Sequence, residues 1–234
     1  MDVSSRLAAL VLEYGLPEAA AGQLERLLHA LADEPDPPTT VNAPAEAVDQ
    51  HIADSLSGLE VEQVREAGRI VDIGAGAGFP GLPLAVARPS TRVDLIESIR
   101  RKRAVIERLA AAAAASNARA LAVRAEEWGK GEGRAAYDAA TARAVASLPV
   151  LVEYAAPLLR RGGALVAWKG ARNRDEEAAA AAAAEIVGLE PTAVLAVRPF
   201  EAARNLNLHL YLKDRETPDR FPRRPGVAAR RPLA

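Results

Sequence analysis

The strongest chemical signal in the chain is Val71-Asp72-Ile73-Gly74-Ala75-Gly76-Ala77-Gly78-Phe79-Pro80-Gly81, an apolar run that ends in an acid and a turn with glycine at every second position. Glycine accepts positive φ and lets the backbone approach a ligand with no Cβ in the way. Pro80 suits the first position of a following helix. Two nucleotide-binding registers overlap here. Gly76-x-Gly78-x-x-Gly81 satisfies the dinucleotide fingerprint by count, which seats a pyrophosphate at a helix N-terminus, but it begins several residues past the strand. Gly74-x-Gly76-x-Gly78 begins at the strand end, the arrangement of S-adenosylmethionine sites. Asp72, Gly74, Gly76 and Gly78 are therefore cofactor-binding candidates. Glu97 closes the next β run, 23 residues after Gly74, where a carboxylate can accept from both ribose hydroxyls. That role fits NAD and S-adenosylmethionine equally, and an acid capping the next helix through Ser98 is the plainer alternative.

Other residues have two readings each. Ala125 and Glu126, in Arg124-Ala125-Glu126-Glu127-Trp128, sit at the third strand end, where they either flank an adenine or form an acidic helix-capping turn. His51 and Asp54 stand three apart on an expected helix and share a face; they are a catalytic pair or a structural hydrogen bond that packs the N-terminal helices onto the body. Lys169, at the end of the fifth strand, faces a target base or phosphate, or is a plain strand-end cation. The chain has no cysteine, which excludes a disulfide framework, a thiolate metal site and the covalent route of carbon-5 pyrimidine methylation. His29, His51 and His209 are too scattered for a metal cluster, so no metal is expected.

The elements that must position these residues follow from periodicity. Residues 4–32 carry Leu7, Leu10, Val11, Leu24, Leu27, Leu28 and Leu31 at helical spacing, broken by Gly15-Leu16-Pro17. A proline-rich loop, 33–45, and a helix around Ala45–Leu59 come next. From residue 69, β runs (69–74, 92–97, 120–125, 137–144, 163–170) alternate with helical stretches (80–88, 98–115, 148–160, 173–187), which indicates βαβ units and a parallel sheet. The last β runs, 190–198 and 205–213, form a hairpin-like pair typical of methyltransferases. The alanine tracts 110–115 and 178–184 fall in expected helices. The predicted organisation is a helical N-terminal cap and loop (1–62) and a catalytic domain with a basic tail (63–234).

The formal net charge of −1 hides a division. Residues 1–62 hold twelve acidic residues and two arginines, net −10, whereas residues 63–234 are net +9. A basic body behind an acidic head points to a polyanionic partner. Arg100, Arg101, Lys102 and Arg103 open the helix after Glu97, and Arg223, Arg224, Arg230 and Arg231 lie in a tail whose net charge from Arg215 onward is +4. These are the RNA-contact candidates, with a solvated surface as the alternative for each. No run of about 18 apolar residues suits a membrane span, and no secretory signal opens the chain; a soluble, cytoplasmic monomer is expected.

Four segments resemble the bacterial 16S ribosomal RNA guanine-N7 methyltransferases, also called glucose-inhibited division protein B. They are His51-Ile52-Ala53-Asp54-Ser55-Leu56, Asp72 to Gly81 with Pro83, Ala142-Arg143-Ala144 with Ser147-Leu148, and Trp168-Lys169-Gly170. The tail Phe221-Pro222-Arg223-Arg224-Pro225-Gly226, then Arg230-Arg231-Pro232-Leu233, is similar to the family's closing signature. The resemblance spans roughly residues 45–234. It implies a class I S-adenosylmethionine-dependent methyltransferase fold, Rossmann-like, with seven strands, mostly parallel, and an antiparallel last strand. It also implies that Gly74, Phe79, Ala125, Glu126 and Arg143 bind the cofactor, and that the methyl acceptor is N7 of a guanine in 16S rRNA, free or within the 30S subunit. The aromatic and Asn-Leu-Thr segment usual before H-x-x-D-S is reduced here to Thr39-Thr40-Val41-Asn42, and Ala142 replaces a common serine. Rival readings are a methyltransferase for another RNA position or a protein, and a non-catalytic, cofactor-sensing RNA-binding module.

Overall fold

The computed structural model describes residues 2–234. Its strands are β1 (Arg69–Ile73), β2 (Arg92–Ile96), β3 (Ala118–Leu121), β4 (Tyr137–Arg143), β5 (Leu159–Lys169), β6 (Leu189–Val197) and β7 (Leu206–Lys213). They form one seven-stranded sheet in the order β3-β2-β1-β4-β5-β7-β6. Strands β1 to β5 pair in parallel, and β7 runs antiparallel to both β5 and β6. The seven-stranded, mostly parallel sheet expected from the sequence is present.

Helices cover both faces, which is why the central strands are apolar on both sides rather than alternating. Ile70, Val93, Leu95 and Val166 face one core; Val71, Ile73, Ile96 and Leu165 face the other. The first face is roofed by α1 (Val3–Tyr14) and α2 (Ala20–Ala32), whose Leu7, Leu10, Leu24, Leu27, Leu28 and Leu31 are buried in the same cluster as the strand residues. Asp2 starts α1 by accepting the Ser5 N–H at 2.8 Å. The helix expected around 45–59 is a composite: α3 (Pro44–Ala47), a π turn (Val48–Ala53), α4 (Asp54–Leu56) and a 3₁₀ turn (Ser57–Glu60), followed by α5 (Glu62–Arg65). π turns inside helices often mark functional sites, and this one carries His51.

The remaining helices are α6 (Gly81–Ala87), α7 (Arg100–Ala112), α8 (Ala125–Trp128), α9 (Leu148–Ala155), α10 (Arg174–Val187) and α11 (Val227–Arg230). Three expected boundaries move. The third strand lies at 118–121 rather than 120–125, because Arg124 is the N-cap of α8 and Glu127 accepts its N–H. Helix α9 stops at Ala155, since Pro157 has no N–H to carry on the helical ladder, and β5 starts correspondingly early at Leu159. The first alanine tract outruns its helix, with Ala114 at φ 50° just past the end of α7. The strand order reverses between β1 and β4, and open α/β sheets bind ligands at the carboxyl ends of strands beside such a reversal. No described helix is long and apolar enough to cross a membrane.

Candidate functional site

Two cavities meet at that reversal. The smaller, about 190 Å³, is walled by Ile96, Val123, Ala125, Glu126, Tyr154 and Ala229; the larger, about 560 Å³, by Thr39, Val41, His51, Gly76, Phe79, Lys102 and Arg143. Gly74, Glu97, Ser98 and Val145 belong to both walls, so the two are halves of one crevice. A roomier groove of about 950 Å³ lies between Gly15–Pro17 and Arg88–Ser90, at the amino end of β2 and away from the glycine turn. The reversal rule and the glycine turn favour the crevice over that groove.

The turn after β1 is built for close approach. Gly74 has φ +65° and its amide donates to the Ile96 carbonyl at 2.9 Å; a Cβ there would stand 2.9 Å from the Val145 side chain. Gly76 has φ +59°, and a Cβ there would meet only the Gly74 carbonyl oxygen, at 3.9 Å. Its N–H donates to Glu97 Oε2 at 3.2 Å, while Glu97 Oε1 accepts from Ile99 N at 2.8 Å. Glu97 thus joins the glycine turn to the start of α7 and stands on the wall shared by both cavities. The capping alternative holds in part: the acid accepts the Ile99 N–H, without using Ser98.

Two glycine-turn candidates lie elsewhere. Asp72 is fully buried beneath the turn, where it accepts from Gly81 N and Thr141 Oγ1, both at 3.0 Å, and burial pushes its carboxyl up to about 7. It supports the loop and lines neither cavity. Gly78 is packed against α6, where a Cβ would come 2.5 Å from Leu82. Its role is helix packing, not ligand approach.

Arg143, the last residue of β4, organises the larger cavity. Its Nη1 donates to Asp54 Oδ2 at 2.6 Å and to the Gln50 carbonyl at 2.9 Å, and its Nη2 lies 3.1 Å from His51 Nδ1. His51 Nε2 is 2.8 Å from the Val41 carbonyl and 3.1 Å from Thr39 Oγ1. Burial, and then the Arg143 cation, push the His51 ring down to about 4. The ring is therefore neutral at pH 7, with Nε2–H donating to Val41 and Nδ1 accepting from Arg143. It stacks on Phe79 at 4.5 Å and 14°, and the guanidinium lies 5.7 Å from the Phe79 centroid. Burial raises the Asp54 carboxyl despite Arg143. Trp168 Nε1 donates to the Asp54 carbonyl at 2.9 Å. His51 and Asp54 do not bond to each other; both grip Arg143, the last residue of β4.

The tail closes the smaller cavity. Glu126 stands on its wall, yet its Oε1 accepts the Gly226 N–H at 2.8 Å, and Ala229 of α11 forms part of the same wall. Arg223, expected on the RNA, instead forks onto Glu153 of α9, with Nε to Oε1 at 2.7 Å and Nη2 to Oε2, and also donates to the Arg231 carbonyl at 2.8 Å. A carboxylate only 1% exposed requires such a partner. Lys169 is likewise committed, to Glu176 at 2.8 Å, and is off the crevice wall.

The other cationic candidates divide. Arg101 pairs with Asp36, and Arg103 with Glu107 at 2.6 Å. Lys102 lines the larger cavity, and Arg100, Arg224, Arg230 and Arg231 are exposed. Sequence reasoning missed Val145, Tyr154 and Ala229, ordinary apolar residues whose position only the fold reveals. It also treated Thr39–Val41 as a departure, although these residues roof the crevice and hold His51.

Residues 37–206 match the family described as rRNA small subunit methyltransferase G (GidB). Proteins named ribosomal RNA small subunit methyltransferase G are similar to the chain. That of Rubrobacter xylanophilus is 45% identical over 192 residues, covering 79% of this chain and 72% of the relative. That of Deinococcus radiodurans is 40% identical over 200 residues, covering 83% and 78%. Among solved structures, the fibrillarin pre-rRNA processing protein of Methanococcus jannaschii superposes with TM-score 0.53 at 18% identity, over 70% of this chain and 74% of that one. Aeropyrum pernix fibrillarin with natively bound S-adenosyl-L-methionine gives TM-score 0.52 at 19%, over 68% and 73%. At those identities the structures speak for the class I methyltransferase fold alone. The sequence match, running from the loop that roofs the crevice to the first residue of β7, speaks for more: this chain belongs to the rRNA small subunit methyltransferase G family.

Proposed function

We propose that the protein transfers the methyl group of S-adenosylmethionine to N7 of a guanine in 16S ribosomal RNA. The residues present fit the cofactor. Ile96, Val123 and Ala125 offer apolar walls for an adenine, Glu97 stands where ribose hydroxyls would donate, and Gly76 leaves room beside the backbone. Bound there, S-adenosylmethionine supplies an electrophilic methyl group on a cationic sulfonium. Arg143 does not repel that cation, because Asp54 matches its charge.

The observation that carries the acceptor is the state of the titratable groups on the larger cavity. On that wall His51 is neutral with both nitrogens engaged and Glu97 accepts two backbone N–H groups, while Asp54 lies off the wall, behind Arg143. A hydroxyl acceptor would find no free base among them. Guanine N7 has an in-plane lone pair and no proton to lose, so the residues need only hold it in line at near-attack distance and exclude water. Lys102, on the same wall, is suited to the phosphate of the target nucleotide. A cytoplasmic monomer meeting 16S rRNA or the 30S particle completes this reading.

The test is methylation of 30S particles and naked 16S RNA with labelled cofactor, followed by nucleoside analysis. The expected product is 7-methylguanosine. Label on another nucleoside or on protein overturns the acceptor, and cofactor binding without turnover overturns the enzyme.

A further inference from the structure

The turn between β6 and β7, residues 198–205, encloses a cavity of about 480 Å³ whose wall includes Arg172, Arg198, Arg204 and Asn207. Arg172 is neutralised by Glu177 through two bonds of 2.9 and 2.6 Å. Arg198 and Arg204 have no carboxylate partner among the described residues, and the exposed Glu201 side chain pairs with neither. Neutral carbonyls hold them instead. Arg198 Nη2 donates to Glu201 O at 3.0 Å, and Arg204 Nη1 to Glu201 O at 2.5 Å and Ala203 O at 2.8 Å. Such bonds orient a guanidinium without cancelling its charge.

The turn is also anchored. Asn207 donates to the Gly170 and Asn205 carbonyls at 2.8 and 3.0 Å, tying it to the end of β5. Arg6 of α1 donates to the Pro199 carbonyl at 2.8 Å and pairs with Asp49 at 2.8 Å. The strand order sets its distance from the crevice. Strands β7 and β6 lie two and three places from β4, whose last residue is Arg143, and all these ends share one rim. At about 4.8 Å per strand, the turn stands roughly 10–15 Å from Arg143.

We propose that Arg198 and Arg204 form a phosphate-binding site for the RNA backbone beside the target nucleotide. Two oriented guanidinium groups with uncancelled charge match phosphate oxygens, which arginine grips bidentately. The proposal rests on the RNA reading above and gives it a second anchoring point, on the far side of the crevice from the start of α7.

The experiment measures binding of a 16S RNA fragment at several salt concentrations, together with methylation kinetics, for the parent and for R198A/R204A. The double variant should bind RNA about tenfold more weakly, with a salt slope shallower by about 1–2. KM for RNA should rise while kcat, cofactor affinity and melting temperature stay at parent values. R198K/R204K should restore the slope but only part of the affinity, because the planar fork is lost. A folded R198A/R204A with the parent's affinity and slope overturns the proposal. A parent that binds RNA but methylates none of it overturns the function reading alone, and a parent that binds no RNA overturns both.

Discussion

Replacing Arg223 by alanine removes both donors of the fork on Glu153 and leaves that carboxylate, 1% exposed, on α9 without a cation. Removing one partner of a buried pair costs about 3–5 kcal/mol. The Arg223 side chain is 25% exposed, so water reaches the vacated space and the lower figure of about 2–3 kcal/mol applies. For a chain of this size that lowers the melting temperature by about 4–12 °C. R223A/E153L removes the stranded charge with its partner and should recover most of the loss. The tail also carries Gly226, bonded to Glu126, and Ala229, on the smaller cavity. Loosening it should therefore weaken cofactor binding several-fold, read by calorimetry. Arg224, exposed beside it, serves as the comparison: R224A should make the RNA salt slope shallower by about 0.7–0.9 and leave melting unchanged. If R223A instead keeps its melting temperature and cofactor affinity while its RNA salt slope falls, the arginine reads phosphate and the clamp argument is wrong.

Gly76→Val should abolish cofactor binding in a folded protein, because a β-branched residue resists φ +59° and its side chain would enter the crevice; unchanged affinity by calorimetry would refute the turn's role. Arg143→Met removes the cation beside His51, so the ring's pKa should rise from about 4 when followed by NMR, and kcat/KM should fall about a hundredfold as His51 and Asp54 lose their common partner. The His51 shift also fixes a pH window. The unfolded ring takes its proton near 6.5 and the folded ring near 4, so its stabilising contribution is intact above 6.5 and is lost as pH falls to 4, by at most about 3 kcal/mol. The difference in urea stability between the parent and His51→Gln should shrink across that window, and a pH-independent difference would show that the ring does not titrate as described.

The fold was legible because its signals are local. Strands β1, β2 and β4 are short apolar runs, α1 and α2 repeat leucine at helical spacing, and Gly15 and Pro17 mark the break between them. Gly74, Gly76 and Glu97 were legible because a strand-end glycine turn and an acid one strand over must meet wherever β1 and β2 pair in parallel. Asp72 and Gly78 belong to the same motif but line neither cavity. Neighbourhood in sequence does not say which side of a turn faces the ligand, and both point into the protein. The pairing of Arg223 was not legible, for a different reason. Its partner Glu153 is 70 residues away, and no local pattern marks a glutamate on α9 as buried.

The same long-range pairing explains the charge division. Three carboxylates of the acidic head are spent on arginines of the body. Glu34 forks onto Arg108 with two bonds of 2.7 Å, Asp36 pairs with Arg101 and Asp54 with Arg143, while Asp49 pairs with Arg6 inside the head. The exposed pairs among these contribute little to stability, but they decide where positive charge remains. Arg100 and Lys102 at the start of α7, Arg198 and Arg204 in the β6–β7 turn, and Arg230 and Arg231 beside Ala229 have no carboxylate partner among the described residues. These groups stand around the carboxyl edge of the sheet, with the crevice between them. A polyanion drawn to that edge by cations on several sides is held across the opening, where a base turned inward meets Phe79 and Lys102 on the larger cavity's wall. The acidic head thus shapes the basic field, cancelling Arg101 and Arg108 on α7 and Arg143 on the crevice wall while leaving Arg100 and Lys102 without a carboxylate partner among the described residues.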